Sequence, residues 1–210
     1  MRKALALLFL LPALCAAQGE APLPRPEVKV GDRWSYQRVD YDTGRVFGKY
    51  VLEVVFAERG VIHVVTTRTK KMEEGDNTFT ADWNAVSTDG RVFNPHTGLL
   101  RFPLRVGDSY GTQFETALLK KGGRASNDRQ VKVVGWEDVE VPAGKFRALK
   151  IVAEGSFQRL DNVSSGTSRN VIWYVPAVRR WVKMVGENRP IGRGGRGDHT
   201  GEELLDYKLK

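Results

Sequence analysis

The chain has 210 residues, 41% hydrophobic and 28% charged, a balance that suits a folded domain and excludes low-complexity or fibrous chains. A single cysteine excludes an internal disulfide framework. The formal net charge of +8 favours anionic surfaces, which in a cell envelope are lipid head groups and wall polymers.

Arg2 and Lys3 form a positive start, Ala4 to Leu14 is apolar apart from Pro12, and Cys15-Ala16-Ala17 offers small residues for cleavage. This pattern predicts a secretory signal peptide over 1–17, cut after Ala17 and too short to span a bilayer. The net charge then falls to +6 as Arg2 and Lys3 leave. The mature chain has no cysteine, and export without disulfides points to a bacterial periplasm. The competing expectation is a lipoprotein acylated at Cys15, although Leu14 and Pro12 fit the required pattern poorly. No later apolar run approaches the roughly 20 residues of a transmembrane helix.

Residues 18–27 carry Pro22, Pro24 and Pro26 and read as an extended lead-in. From Val28 to Lys210 a single all-β domain is expected. Strand character runs through Arg33–Tyr41, Lys49–Ala57, Val61–Thr69, Thr78–Val86 and Arg91–Phe93. It continues through Ser109–Leu119, Arg129–Val141, Lys145–Arg159, Ser168–Val175, Arg179–Glu187 and Glu202–Leu209. Asp42-Thr43-Gly44, Arg59-Gly60, Asp89-Gly90 and Pro176-Ala177 supply turns between them. In Lys49–Ala57 both alternating sets are apolar, which suggests burial on both faces. Gln113–Lys121 is ambiguous, because Phe114, Ala117 and Leu118 also fall at helical spacing. Val30-Gly31-Asp32-Arg33-Trp34 is echoed by Val106-Gly107-Asp108-Ser109-Tyr110, so two related sub-sheets could begin near residues 28 and 103. The glycine-rich stretch from Gly186 to Gly201 reads as a loop whose Arg189, Arg193 and Arg196 could touch an anionic surface.

The motifs of catalysis are missing. His63, His96 and His199 lie far apart without partners at metal-ligand spacing. Asp42-Thr43-Gly44 sits in a polar turn instead of ending an apolar strand, as an aspartic protease requires. No Gly-x-Ser-x-Gly elbow and no phosphate-cradling glycine loop occur. The expectation is therefore a protein that is not an enzyme and needs no cofactor or metal.

Five tryptophans lie on or beside expected strands. Core packing is their first explanation. The alternative is that Trp34, Trp83, Trp136 and Trp173 line a groove for an apolar ligand, since curved sheets enclose such spaces.

The segment Trp136-Glu137-Asp138-Val139-x-Val141-Pro142-Ala143-Gly144-x-Phe146, with Leu149-Lys150-Ile151, resembles a hairpin of uncharacterised exported bacterial β-proteins. These include domain-of-unknown-function and TapB-like groups. Trp173-Tyr174-Val175-Pro176, Trp181-Val182-Lys183 and the Val30–Trp34 turn fit the same likeness. The resemblance implies a curved antiparallel sheet similar in outline to the LolA/LolB lipoprotein carriers, and it implies no catalytic residues.

Together these readings predict a large curved antiparallel sheet or open half-barrel of about ten strands, exported to the periplasm. Its expected role is non-catalytic, with an apolar or amphipathic, lipid-like ligand on the concave face and no nucleic acid as partner. A protein-interaction component of an envelope, secretion or pilus assembly is the alternative. A hydrolase of cell wall or lipid is less favoured.

Overall fold

In the computed structural model, alternation of inward apolar and outward polar residues produces twelve antiparallel strands. The structure describes residues 21–68, 74–88, 90–119, 122–162, 164–192 and 197–210. The expected signal peptide with Cys15, and Arg193 and Arg196, lie outside these residues. In chain order the strands are β1 (Arg33–Asp40), β2 (Val46–Glu58), β3 (Val61–Arg68), β4 (Glu74–Thr80), β5 (Ala85–Thr88) and β6 (Arg91–Asn94). They continue as β7 (Ser109–Leu118), β8 (Arg124–Val141), β9 (Gly144–Arg159), β10 (Ser165–Val175), β11 (Arg180–Ile191) and β12 (Asp198–Lys208). Each strand pairs with its sequence neighbour, and β1 also pairs with β12 from Arg33↔Lys208 to Asp40↔Thr200.

The sheet is therefore a closed barrel of twelve strands, where an open half-barrel of about ten was expected. Closure follows from the two terminal strands. Each would otherwise present a row of unpaired backbone groups, and pairing them removes both edges. The count rises partly because Thr78–Val86 is two strands. Trp83 adopts a left-handed backbone (φ 62°) and breaks the run between β4 and β5. That conformation is rare for a bulky residue. It is held here by the indole N–H, which donates to the carbonyl of Arg179 at 2.9 Å.

The ambiguous Gln113–Lys121 segment is strand through Leu118, with Lys121 outside the described residues. Phe114 is buried, and the β7–β8 ladder runs from Ser109↔Lys132 to Ala117↔Arg124. Nor is β2 buried on both faces. Leu52 and Val54 point into the core, while Val55 and Phe56 are exposed.

The hairpin around Pro142-Ala143-Gly144 joins the two longest strands, β8 and β9, in register from Val141↔Gly144 to Ala125↔Arg159. Gly144 takes φ 131°, a conformation that L side chains rarely adopt. The two Gly-Asp turns make matching bonds. The Gly31 N–H donates to the Val54 carbonyl and the Val54 N–H to that of Asp32. Likewise the Gly107 N–H donates to Val133 and the Val133 N–H to Asp108. Each turn thus locks the following strand against a bulge in its neighbour, after Val54 and after Val133 respectively.

One end of the barrel is sealed. Residues 95–108, the lead-in from residue 21 and a short 3₁₀ turn (Pro176–Val178) pack beneath the strands. Leu23 and Leu104 exchange backbone hydrogen bonds, and Leu100 and Leu104 are each 2% exposed. The seal is fastened by Asp32, which is completely buried. Its carboxylate accepts from Arg179 Nη1 (3.1 and 2.9 Å), the Lys29 N–H (2.9 Å) and the Lys210 N–H (2.8 Å).

Removing one partner of a buried ion pair leaves the other desolvated and alone, at a cost of about 3–5 kcal/mol. Asp32→Ala should therefore lower unfolding free energy by that amount in denaturant titration. Asp108→Ala, whose carboxylate accepts one exposed backbone bond from Arg105, should cost about 1 kcal/mol or less.

Candidate functional site

An eight-stranded barrel is just wide enough for its own side chains to fill. Twelve strands make a wider tube, and the inward side chains meet only at the sealed end. Above them lies a cavity of ≈ 700 Å³. That volume falls in the range of about 300–1,000 Å³ typical of small-molecule sites. Two glycines let one wall pack closely. Gly155 permits a close crossing of strands, since a Cβ there would stand 1.9 Å from the Asp128 carbonyl oxygen. Gly166 leaves room for the Phe157 ring, 2.5 Å from where its Cβ would lie.

The lining changes with depth. Near the floor it is Leu52, Phe79, Trp83, Leu100, Ile172, Trp181 and Met184. Toward the hairpins that join odd to even strands it becomes polar, with Arg38, Thr88, Arg91, Arg124, Arg159 and Asn188. Among the described residues that line the cavity, seven are arginines, set against Asp198 and Glu202 as the only acids. Several of these charges are already partnered. Arg124 pairs with Glu115, and Arg159 holds Asp161 with two hydrogen bonds of 2.9 and 2.7 Å.

The floor is built around Arg180, which is 2% exposed. Its guanidinium carbon lies 3.8 Å from the ring centre of Trp181, 4.2 Å from Trp83, 5.2 Å from Phe79 and 5.8 Å from Trp34. Ring faces carry the negative side of their quadrupole, so this cage stabilises the cation without a direct carboxylate contact. Glu202 stands nearby and accepts from the Trp181 indole and the Tyr50 hydroxyl. Burial pushes the hydroxyls of Tyr36 and Tyr50 far above the ordinary tyrosine value, so both remain neutral donors. Trp34 and Trp83 bind the carbonyls of Val178 and Arg179, each at 2.9 Å, and their rings meet edge-on at 5.4 Å.

Half-way up the wall stands Arg129. Its Nη1 donates to the Asn170 Oδ1 at 2.6 Å, reaching from β8 across Gly155 of β9 to β10. Its guanidinium lies 5.2 Å from the Phe114 ring centre. Burial draws it down to about 10. Its Nε and the hydroxyl of Ser168 are buried without hydrogen-bond partners.

The four tryptophans expected at a ligand site are divided by the fold. Trp83 lines the cavity floor. Trp34 is wholly buried beneath it and contributes support. Trp136 is partly buried against the core and does not line the cavity. Trp173 is held in a polar ladder that crosses the strands. Its indole donates to Glu137 at 2.5 Å and lies near the ammonium groups of Lys150 and Lys183. Lys183 continues the ladder to Glu203, which accepts from Tyr41.

Arg189 is not in a loop either. It belongs to β11, pairs with Glu187, and the stretch from Gly186 to Ile191 is strand. Sequence reasoning missed Arg129, Arg180, Ser168 and Asn170. Arg129 lies in a polar stretch and Arg180 beside Trp181 and Val182, and only the barrel register turns both inward. Among the described residues no cluster of His, Cys, Asp and Glu could hold a metal ion.

No protein-family model and no curated protein matches the chain. Its fold does match solved structures. A candidate lipoprotein from Parabacteroides distasonis superposes with a TM-score of 0.57 at 12% identity, covering 90% of this chain and 100% of that one. A candidate exported protein from Bacteroides fragilis with a YmcC-like fold gives 0.53 at 14% identity, again covering 90% and 100%. The hypothetical lipoprotein YmcC from Escherichia coli gives 0.47 at 10% identity over 83% of this chain and 84% of its own. The chain thus shares the YmcC-like barrel fold.

Replacing Arg180 tests how the floor is held. Arg180→Ala removes the cation from four rings and from beside Glu202, so it should cost about 3–5 kcal/mol. Arg180→Met restores apolar volume and should recover at least half of that loss in thermal or denaturant unfolding.

Proposed function

We propose that this chain is a non-catalytic exported envelope protein that holds an apolar or amphipathic, lipid-like molecule inside its barrel. The observation that carries this reading is the cavity of ≈ 700 Å³, with an aromatic and aliphatic floor and a polar mouth. Such a gradient suits a molecule with an alkyl tail and a polar head. Filling the floor with Leu52, Phe79, Leu100, Ile172 and Met184 contacts removes apolar surface from water, worth about 25 cal/mol per Å² before ordering costs.

The outer wall supports a barrel that stands in water and not in lipid. Ion pairs occur in mid-strand on its outside, including Arg169–Glu154, Lys150–Glu137 and Lys183–Glu203. On a lipid-facing surface such charges would be strongly destabilising. Export accords with the signal-peptide pattern of residues 1–17 and with the description of the similar folds as a candidate exported protein and a candidate lipoprotein. Periplasmic release after Ala17 is the preferred form of that export, with acylation of Cys15 as its rival.

Native mass spectrometry of protein purified from a bacterial envelope should show a bound species that organic extraction releases as lipid. Ala125 lines the cavity and is partly buried, so Ala125→Trp should occupy ligand space without opening the fold. That variant should lose most of the bound species while its melting temperature stays near that of the parent. A parent that carries no lipid, and takes up none from mixed vesicles, would refute the carrier reading.

A further inference from the structure

Arg129, one of the seven arginines that line the cavity, has no carboxylate partner among the described residues. Pairing between strands lays out a row across four neighbours, in which Arg129 of β8 stands opposite Gly155 of β9, and Gly155 opposite Ser168 of β10. Ser168 in turn pairs with Asn188 of β11. Gly155 has no side chain, so the Arg129 guanidinium crosses it and donates to Asn170. Asn170 is a neutral acceptor and leaves the charge uncompensated. Carboxylates beside this row in sequence or through strand pairing are engaged elsewhere. Asp128 accepts from Gln113 and Glu154 from Arg169, both in exposed pairs, and Asp198 accepts from Asn188.

In the same row, Arg129 Nε and Ser168 Oγ are both buried donors without partners, and Ser168 is only 4% exposed. Buried polar groups are almost always satisfied, so two unpartnered donors in one row, beside a cavity that Arg129 and Asn170 line, point to a common acceptor. That acceptor would sit between the polar mouth and the apolar floor. Arg180 also has a buried Nε and Nη1 without partners, but the faces of Trp83 and Trp181 enclose its guanidinium, which makes it the weaker candidate.

We propose that Arg129, Ser168 and Asn170 form a seat for the anionic head group of an alkyl ligand, a carboxylate or a phosphate, whose tail descends to Trp83 and Trp181. This inference rests on the reading that the lumen holds an amphiphile, and it specifies the charge and orientation of that molecule. The guanidinium supplies planar, charge-assisted donors of the kind that recognise carboxylate and phosphate. The hydroxyl of Ser168 and the Asn170 amide N–H add neutral donors to the same oxygen atoms.

The test uses the full mature chain and three probes of equal tail length, laurate, dodecyl phosphate and dodecanol, each below its micellar concentration and followed by calorimetry. At least one anionic probe should bind about tenfold or more tightly than dodecanol. The stronger of the two anions identifies the source as a carboxylate or a phosphoester. Arg129→Met should abolish the anion advantage while dodecanol affinity stays within about twofold. Ser168→Ala removes a lone hydroxyl and should weaken the anions severalfold in the same direction, providing a second probe if Arg129→Met does not fold. Equal binding of all three probes to the parent, or an anion advantage that survives Arg129→Met, would overturn the seat and leave the lumen reading intact. Failure of every probe to bind would overturn both.

Discussion

The architecture depends on the buried carboxylate of Asp32. It joins three places far apart in sequence, the start of β1, the turn between β10 and β11 through Arg179, and the end of β12 through Lys210. Those are the elements that must meet for the first and last strands to pair. A carboxylate with no exposure is expensive to bury, and it is tolerated because two backbone N–H groups and a guanidinium surround it. The ladder from Arg33↔Lys208 to Asp40↔Thr200 then closes the sheet above this clasp.

Closure with twelve strands has a geometric consequence. The tube is too wide for its inward side chains to interlock along its whole length, so it must be plugged or remain hollow. This chain does both. Residues 95–108 and the 3₁₀ turn fill one end, and the indoles of Trp34 and Trp83 bind the carbonyls of that turn. The other end remains hollow, with Gly75, Gly123 and Ala125 among the residues that line it. Arg180 marks the border. It is held by the rings that also form the floor, so the packing of the plug and the shape of the cavity are one problem.

Local chemistry explains which parts of this were legible in the residues. The hairpin expected from Arg129–Val141 and Lys145–Arg159 could be read because alternation and a Pro-Ala-Gly corner are local, and the structure places strands on both sides of it. The echo between Val30–Trp34 and Val106–Tyr110 is visible for the same reason, since both turns need a left-handed glycine, at φ 88° and 93°. Reading failed where long-range contacts override local pattern. Phe114, Ala117 and Leu118 match helical spacing, yet the ladder to β8 and the burial of Phe114 make this a strand. Trp83 breaks a continuous β pattern because its indole is captured by Arg179, almost a hundred residues away.

The residues of the site follow the same rule. Sequence by itself determined the all-β class, the turns and the strand alternation, because each is set within a few residues by backbone freedom and side-chain period. Only the tertiary structure decided that the sheet closes, that it is twelve strands around, and that Trp83 faces the cavity while Trp173 joins a polar ladder. It also decided that Arg129, Ser168 and Asn170 share one wall. Inside and outside of a barrel are properties of the closed ring, and the register between distant strands that closes it is a sum of pairings no single segment contains.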